Sequence, residues 1–189
     1  MKRLSIVTAV LLAFAAPSAT GTDSHKIRVK MTGYEEVPSV STVANGTFSA
    51  RIARDEQSIA YRLSWRGLQA PVTQAHVHVA QKSVNGGIVL WMCGTATNPG
   101  PAGTQACPTP MVAGDTVEVS GTWDATHVQA AQPAQQIIAG ELAEVIAAIR
   151  AGVAYANIHT TASPGGEVRG QLEVSKHGHS HHDDDDDDD

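Results

Sequence analysis

His76 and His78 stand two residues apart in the stretch QAHVHVAQ. On an extended strand alternate side chains leave the same face, about 7 Å apart at their Cα atoms, so two imidazoles at this spacing can reach one ion. A third, His159, lies in VAYANIHT, where Tyr155, Asn157 and His159 would share one face of a strand while Ala154, Ala156 and Ile158 take the other. If the two strands are neighbours, three neutral nitrogens converge, a donor set suited to copper or zinc, and an open fourth position would make such a site catalytic. His127 or His25 is the candidate fourth ligand. Arg169, on the segment after His159, is the cation placed to attract an anionic substrate, with Glu167 beside it on the same face. A plainer reading stays open for both groups. The histidines would then be solvated side chains on a wet sheet face, and Glu167 with Arg169 an exposed pair worth under about 1 kcal/mol. The distant third histidine and a histidine-rich tail weigh toward the metal.

The elements that must position these residues are mostly strands. Ile27, Val29 and Met31 alternate with Lys26, Arg28 and Lys30, and Phe48, Ala50 and Ile52 alternate with Ser49 and Arg51. Ile59, Tyr61, Leu63 and Trp65 alternate with Arg62, Ser64 and Arg66, the period of a sheet with one wet face. Residues 75–79, the apolar run 88–92, and residues 117–123, 153–160 and 167–174 complete about eight short strands. One helix is predicted from Ile138, Leu142, Val145, Ile146 and Ile149, with Gly152 as its stop. The pattern argues an all-β fold, an immunoglobulin-like β-sandwich or a small Greek-key barrel with one short helix.

The 189 residues leave one modest domain, residues 22–175, once two unusual ends are set aside. Residues 1–21 run from basic Lys2 and Arg3 through the apolar stretch Ile6 to Ala16 to small Ser18, Ala19 and Gly21, the order of a secretory signal peptide. That predicts a secreted or periplasmic protein without membrane insertion, since the run is shorter than the roughly 20 residues of a spanning helix. Residues 176–189, KHGHSHHDDDDDDD, have the composition of a disordered tail that can chelate ions loosely. Seven of the 19 acids lie in that tail and two of the 13 bases in the leader, so the domain is close to neutral despite a formal charge of −6. No basic face points to nucleic acid. Cys93 and Cys107, in an exported chain and flanking a Gly- and Pro-rich loop, are expected to bond to each other. A bridge over such a loop stabilises by roughly 3 kcal/mol on the loop-entropy view. Nucleophilic hydrolysis has little support, because no G-x-S-x-G element is present.

Three segments together carry a family resemblance: MTGYEEVPSVSTVANGTFSARI, QAHVHVAQ, and AGVAYANIHTTASPGGEVRGQL. They resemble the CHRD (chordin-type) domain over roughly Ile27 to Val174. The resemblance implies an immunoglobulin-like barrel or sandwich and an extracellular location, and it says little about activity. A second resemblance concerns the site alone. An H-V-H strand in a small exported barrel is similar to the copper-binding strand of copper/zinc superoxide dismutases. Only His76 and His78 match, His159 would serve as a later ligand, and no zinc half is visible. The sequence therefore supports an exported three-histidine metal-binding protein, with copper-dependent superoxide dismutation as the chemistry a bound copper would bring. The alternative is a non-enzymatic extracellular module that binds another protein or matrix.

Overall fold

The computed structural model describes residues 23–109 and 114–175. The expected leader and tail lie outside them. Alternating apolar and polar residues drive the first half of the chain into strands β1 (Asp23–Thr32), β2 (Asn45–Ile52) and β3 (Ile59–Arg66). Ile59, Tyr61, Leu63 and Trp65 turn inward, and the residues between them stay more exposed. Strands β4 (Val72–Val79), β5 (Gly87–Cys93), β6 (Val117–Trp123), β7 (Ala154–Thr160), β8 (Val168–Gln171) and β9 (Val174–Ser175) follow. The predicted strand over 167–174 is thus divided in two, and β9 pairs with β1 rather than continuing along β7.

All pairings between these strands are antiparallel, in the order β5-β4-β7-β8-β1-β2-β3-β6. The sheet curls into a nearly closed barrel, the second of the two architectures expected from the sequence. Side chains instead of a ladder span the gap between its two ends, β5 and β6: Trp123 Nε1 of β6 donates to the Trp91 carbonyl at 2.8 Å, and the Tyr61 hydroxyl, from the neighbouring β3, donates to the Met92 carbonyl at 3.2 Å. Tyr61 and Trp123 stack with ring centres 3.8 Å apart. Helix α1 (Leu142–Arg150) buries Leu142, Val145, Ile146 and Ile149. Ile138, assigned to this helix from its spacing, lies outside it and is exposed, since Gly140 takes φ +90 and breaks the helical path before Leu142. Cys93 and Cys107 form the expected disulfide, with Cα atoms 4.7 Å apart. Among the described residues no helix is long and apolar enough to cross a membrane.

For the histidines the decisive pairing is β4 with β7. It places His76 opposite Asn157, His78 opposite Tyr155, and His159 opposite Gln74, so all three imidazoles emerge on one patch of the barrel's outer face. That patch is not wet. Residues 80–86, between β4 and β5, and residues 33–40, after β1, fold over it, and all seven residues of β7 are buried.

Candidate metal centre

His76, His78 and His159 offer ligand atoms that all lie within 4.8 Å of one another. Their ring centres are 4.6 Å apart for His76 and His78, 4.5 Å for His76 and His159, and 6.5 Å for His78 and His159. Nitrogens sharing one tetrahedral ion at about 2.05 Å would sit about 3.4 Å from each other, so the rings need to draw in by about an ångström to share one ion.

Backbone carbonyls fix the orientation of two of the rings. His78 Nδ1 lies 2.8 Å from the Gly86 carbonyl oxygen, and His159 Nδ1 lies 2.8 Å from that of Pro164. A carbonyl can only accept, so both Nδ1 atoms must carry the proton, and both Nε2 atoms must present a lone pair. Those two Nε2 atoms are buried without a partner, as are both nitrogens of His76 and Oδ1 of the adjacent Asn157. Each orphan of this kind costs about 1–3 kcal/mol, which a protein seldom tolerates three or four times at one point unless something else completes them. A ligated histidine whose other nitrogen donates to a carbonyl is the usual arrangement around bound metals. The three histidines could therefore hold a metal ion.

Burial holds the rings neutral, as ligation requires. It carries the His78 imidazole down to about 4, further lowered by the neighbouring His159, while the hydrogen bond to Gly86 opposes the shift. His76 is pushed well below the ordinary histidine range by burial, then by His159 and His78, and burial lowers His159 as well. Glu36, in the segment folded over the site, moves the other way: burial raises its carboxyl to about 7 against the pull of Arg169.

These shifts predict how metal-free protein responds to acid. Unfolded histidines take up protons near pH 6.5, whereas folded His78 stays neutral to about pH 4, so stability falls as pH drops below 6.5. His78 alone forfeits about 3 kcal/mol when the effect is complete. Glu36 contributes oppositely, gaining as pH falls from about 7 to 4.5. One carboxyl faces three histidines, so the histidines win. The urea midpoint is expected to drop between pH 7 and pH 5 and to drop more steeply in Glu36→Gln. A midpoint that held or rose on acidification would contradict buried neutral imidazoles.

The rest of the expected site is rearranged. Arg169 is only 1% exposed. Its guanidinium lies 3.3 Å from the Tyr155 ring centre and donates to the Val84 carbonyl at 2.9 Å, to Asn85 Oδ1 at 3.2 Å and to the Gln81 carbonyl at 3.4 Å. A cation so enclosed braces the loop over the site instead of drawing anions from solvent. Tyr155 in turn stacks on His78, ring centres 4.6 Å apart and 5° from parallel. Glu167 is not an exposed partner of Arg169; it accepts from Thr160 Oγ1 at 2.7 Å, the Gln69 amide at 2.9 Å and Thr42 Oγ1 at 3.0 Å. His127, the proposed fourth ligand, is placed on the exposed turn Ala125–His127 after β6, against Asp124, and is not part of the three-histidine group. The strand before it pairs with β3, away from the β4–β7 pair. Gly86, Pro164, Tyr155 and Glu36 were not assigned to the site from the sequence. For Tyr155, Pro164 and Glu36 the signal that could have found them is their place in the VAYANIHT, SPGGEVRG and EEVPS stretches, whereas Gly86 lies in none of these.

A family model for the CHRD domain matches residues 27–172. That range contains all three histidines, Arg169 and the two segments folded over them. No curated protein and no solved structure matches the chain.

Proposed function

The chain belongs to the CHRD domain family, and from that premise we propose that it is an exported metal-binding protein that holds one copper or zinc ion on His76, His78 and His159. The observation that carries the reading is the set of four orphaned imidazole nitrogens buried at one point, two of them fixed as acceptors by carbonyls behind the rings. The three nitrogens would supply most of an ion's coordination, and Asn157 Oδ1, which also lacks a partner, lies beside them. Copper there would bring one-electron chemistry, including the superoxide dismutation suggested by the H-V-H strand. The enclosure of the histidines favours holding an ion over rapid turnover, because a substrate must reach the metal. The disulfide and the leader-like start fit the oxidising compartment proposed for it.

The test is stoichiometry in protein lacking residues 176–189, whose own histidines would otherwise chelate. One equivalent of Cu(II) or Zn(II) should bind, and the midpoint of unfolding should rise with ion concentration as RT ln(1 + [L]/Kd). Saturable copper without superoxide consumption would leave a binding or storage protein. Absence of saturable metal would sink the site and promote the interaction module.

A further inference from the structure

The outward face of β1, β2, β3 and β6 is a second, unrelated surface. The register puts Lys26 opposite Arg51, and Arg28 in line with Ser49, Arg62 and Ser120. Lys26, Arg28, Arg51 and Arg62 stand around a shallow basin of about 450 Å³, floored by small Ser49, Ala50, Ala60 and Ser120. All four cations are exposed. Glu118 pairs with Arg62 at 2.7 Å, both side chains being well exposed, Lys26 also has a partner of its own, and Glu173, between β8 and β9, borders Arg28 and Lys30. Four cations around a floor of small residues form a seat for an extended polyanion, because nothing on the floor obstructs a chain and the cations reach in from its edges.

The same chain carries such a polyanion. Asp183–Asp189 are seven consecutive carboxylates. Their root is close by: Ser175, the last described residue, pairs with Asp23, three positions before Lys26 on β1. The seven residues between, Lys176 to His182, span up to about 24 Å when extended, whereas three positions of a strand cover about 10 Å.

We propose that the aspartate run of the chain's own C-terminal tail docks on the basic basin formed by Lys26, Arg28, Arg51 and Arg62. The contact is electrostatic and needs no fixed tail conformation. Its strength comes from tethering, since a short linker holds the acids at an effective concentration of about a millimolar. In this state the basin is covered, so an external polyanion must displace the tail before it binds.

The test uses the full chain and a synthetic poly-aspartate peptide as probe. Replacing Asp183–Asp189 by seven Asn, which keeps length and removes charge, should tighten probe binding at least about tenfold at low salt. Amide resonances of Lys26, Arg28, Arg51 and Arg62 should differ between the two chains, and the difference should vanish in 1 M salt, where the Debye length is about 3 Å. In the full chain, Arg28→Glu with Arg51→Glu should erase the same difference and abolish probe binding. Equal probe binding by the two chains, or resonance differences confined to another face, would overturn the proposal. So would self-association of the full chain that the Asn variant loses, because the tail would then seat on a second copy.

Discussion

Substituting His76→Leu is expected to abolish stoichiometric metal binding and, in metal-free protein, to raise stability by about 1–2 kcal/mol. His76 is fully buried and neither of its ring nitrogens has a partner. Leucine keeps most of the volume, removes two desolvated polar atoms, and leaves Val77 and Ala75 on the core side untouched. With ion at about a thousand times Kd, however, the wild type gains about 4 kcal/mol that the variant cannot. The order of stabilities should therefore invert when metal is added. Urea titrations with and without Cu(II) or Zn(II), on protein lacking residues 176–189, read both halves. A histidine retained for packing alone would lose stability in both conditions, and that outcome would remove the reason to regard the cluster as a ligand set. Function held at a cost in stability is a common mark of binding sites.

The second large effect belongs to Arg169→Met, which should destabilise the protein by about 3–5 kcal/mol. Methionine keeps an unbranched apolar stem but lacks the guanidinium, its donors and its charge. The Val84 and Gln81 carbonyls and Asn85 Oδ1 then lose their donor, the face of Tyr155 loses its cation, and Glu36 loses the positive charge that opposes its burial. An arginine on the surface, available to attract ions, would cost within about 0.5 kcal/mol to remove. Because Tyr155 stacks on His78 and Gly86 ends the braced loop, metal affinity should fall as well, and Arg169→Lys should restore charge but not the three-way contact. Equilibrium unfolding of both variants, followed by metal titration, separates the two roles. A loss below about 0.5 kcal/mol for the methionine variant would show that the brace is not supporting the loop.

Much of this site could be read before the fold was known, and the reason is the two-residue period of strands. His76 and His78 must share a face, and so must Tyr155, Asn157 and His159, whatever the barrel does around them. The adjacency of β4 and β7 was a condition of the argument, and the pairing meets it. Periodicity does not report what covers a face. The histidines read as residues of a wet surface because Val77 and Ala75 take the core, yet residues 33–40 and 80–86 arrive from elsewhere and close over them. The same blindness made Arg169 an ion attractor and paired it with Glu167. Both carry a charge, but each is itself buried and held by partners from distant parts of the chain, Val84 and Asn85 for one, Thr42 and Gln69 for the other. The helix was legible from Leu142 on because four apolar residues recur at its spacing, and illegible at Ile138 because a glycine conformation decides where it begins.

The side-chain closure between β5 and β6 bears on how this protein keeps to itself. Terminal strands of an open sheet offer rows of bare N–H and C=O groups on which a foreign strand can template, and a ladder that does not meet itself should carry that hazard. Here the Trp123 indole and the Tyr61 hydroxyl occupy two carbonyls of β5, and the bridged loop prolongs the cover where that strand ends, with Gly94 donating to Gln105 and Cys107 to Gly94. These aromatic groups therefore act as gatekeepers against fibril-like growth. Because both are core side chains, their loss would lower the melting temperature and also the concentration at which the protein stays clear.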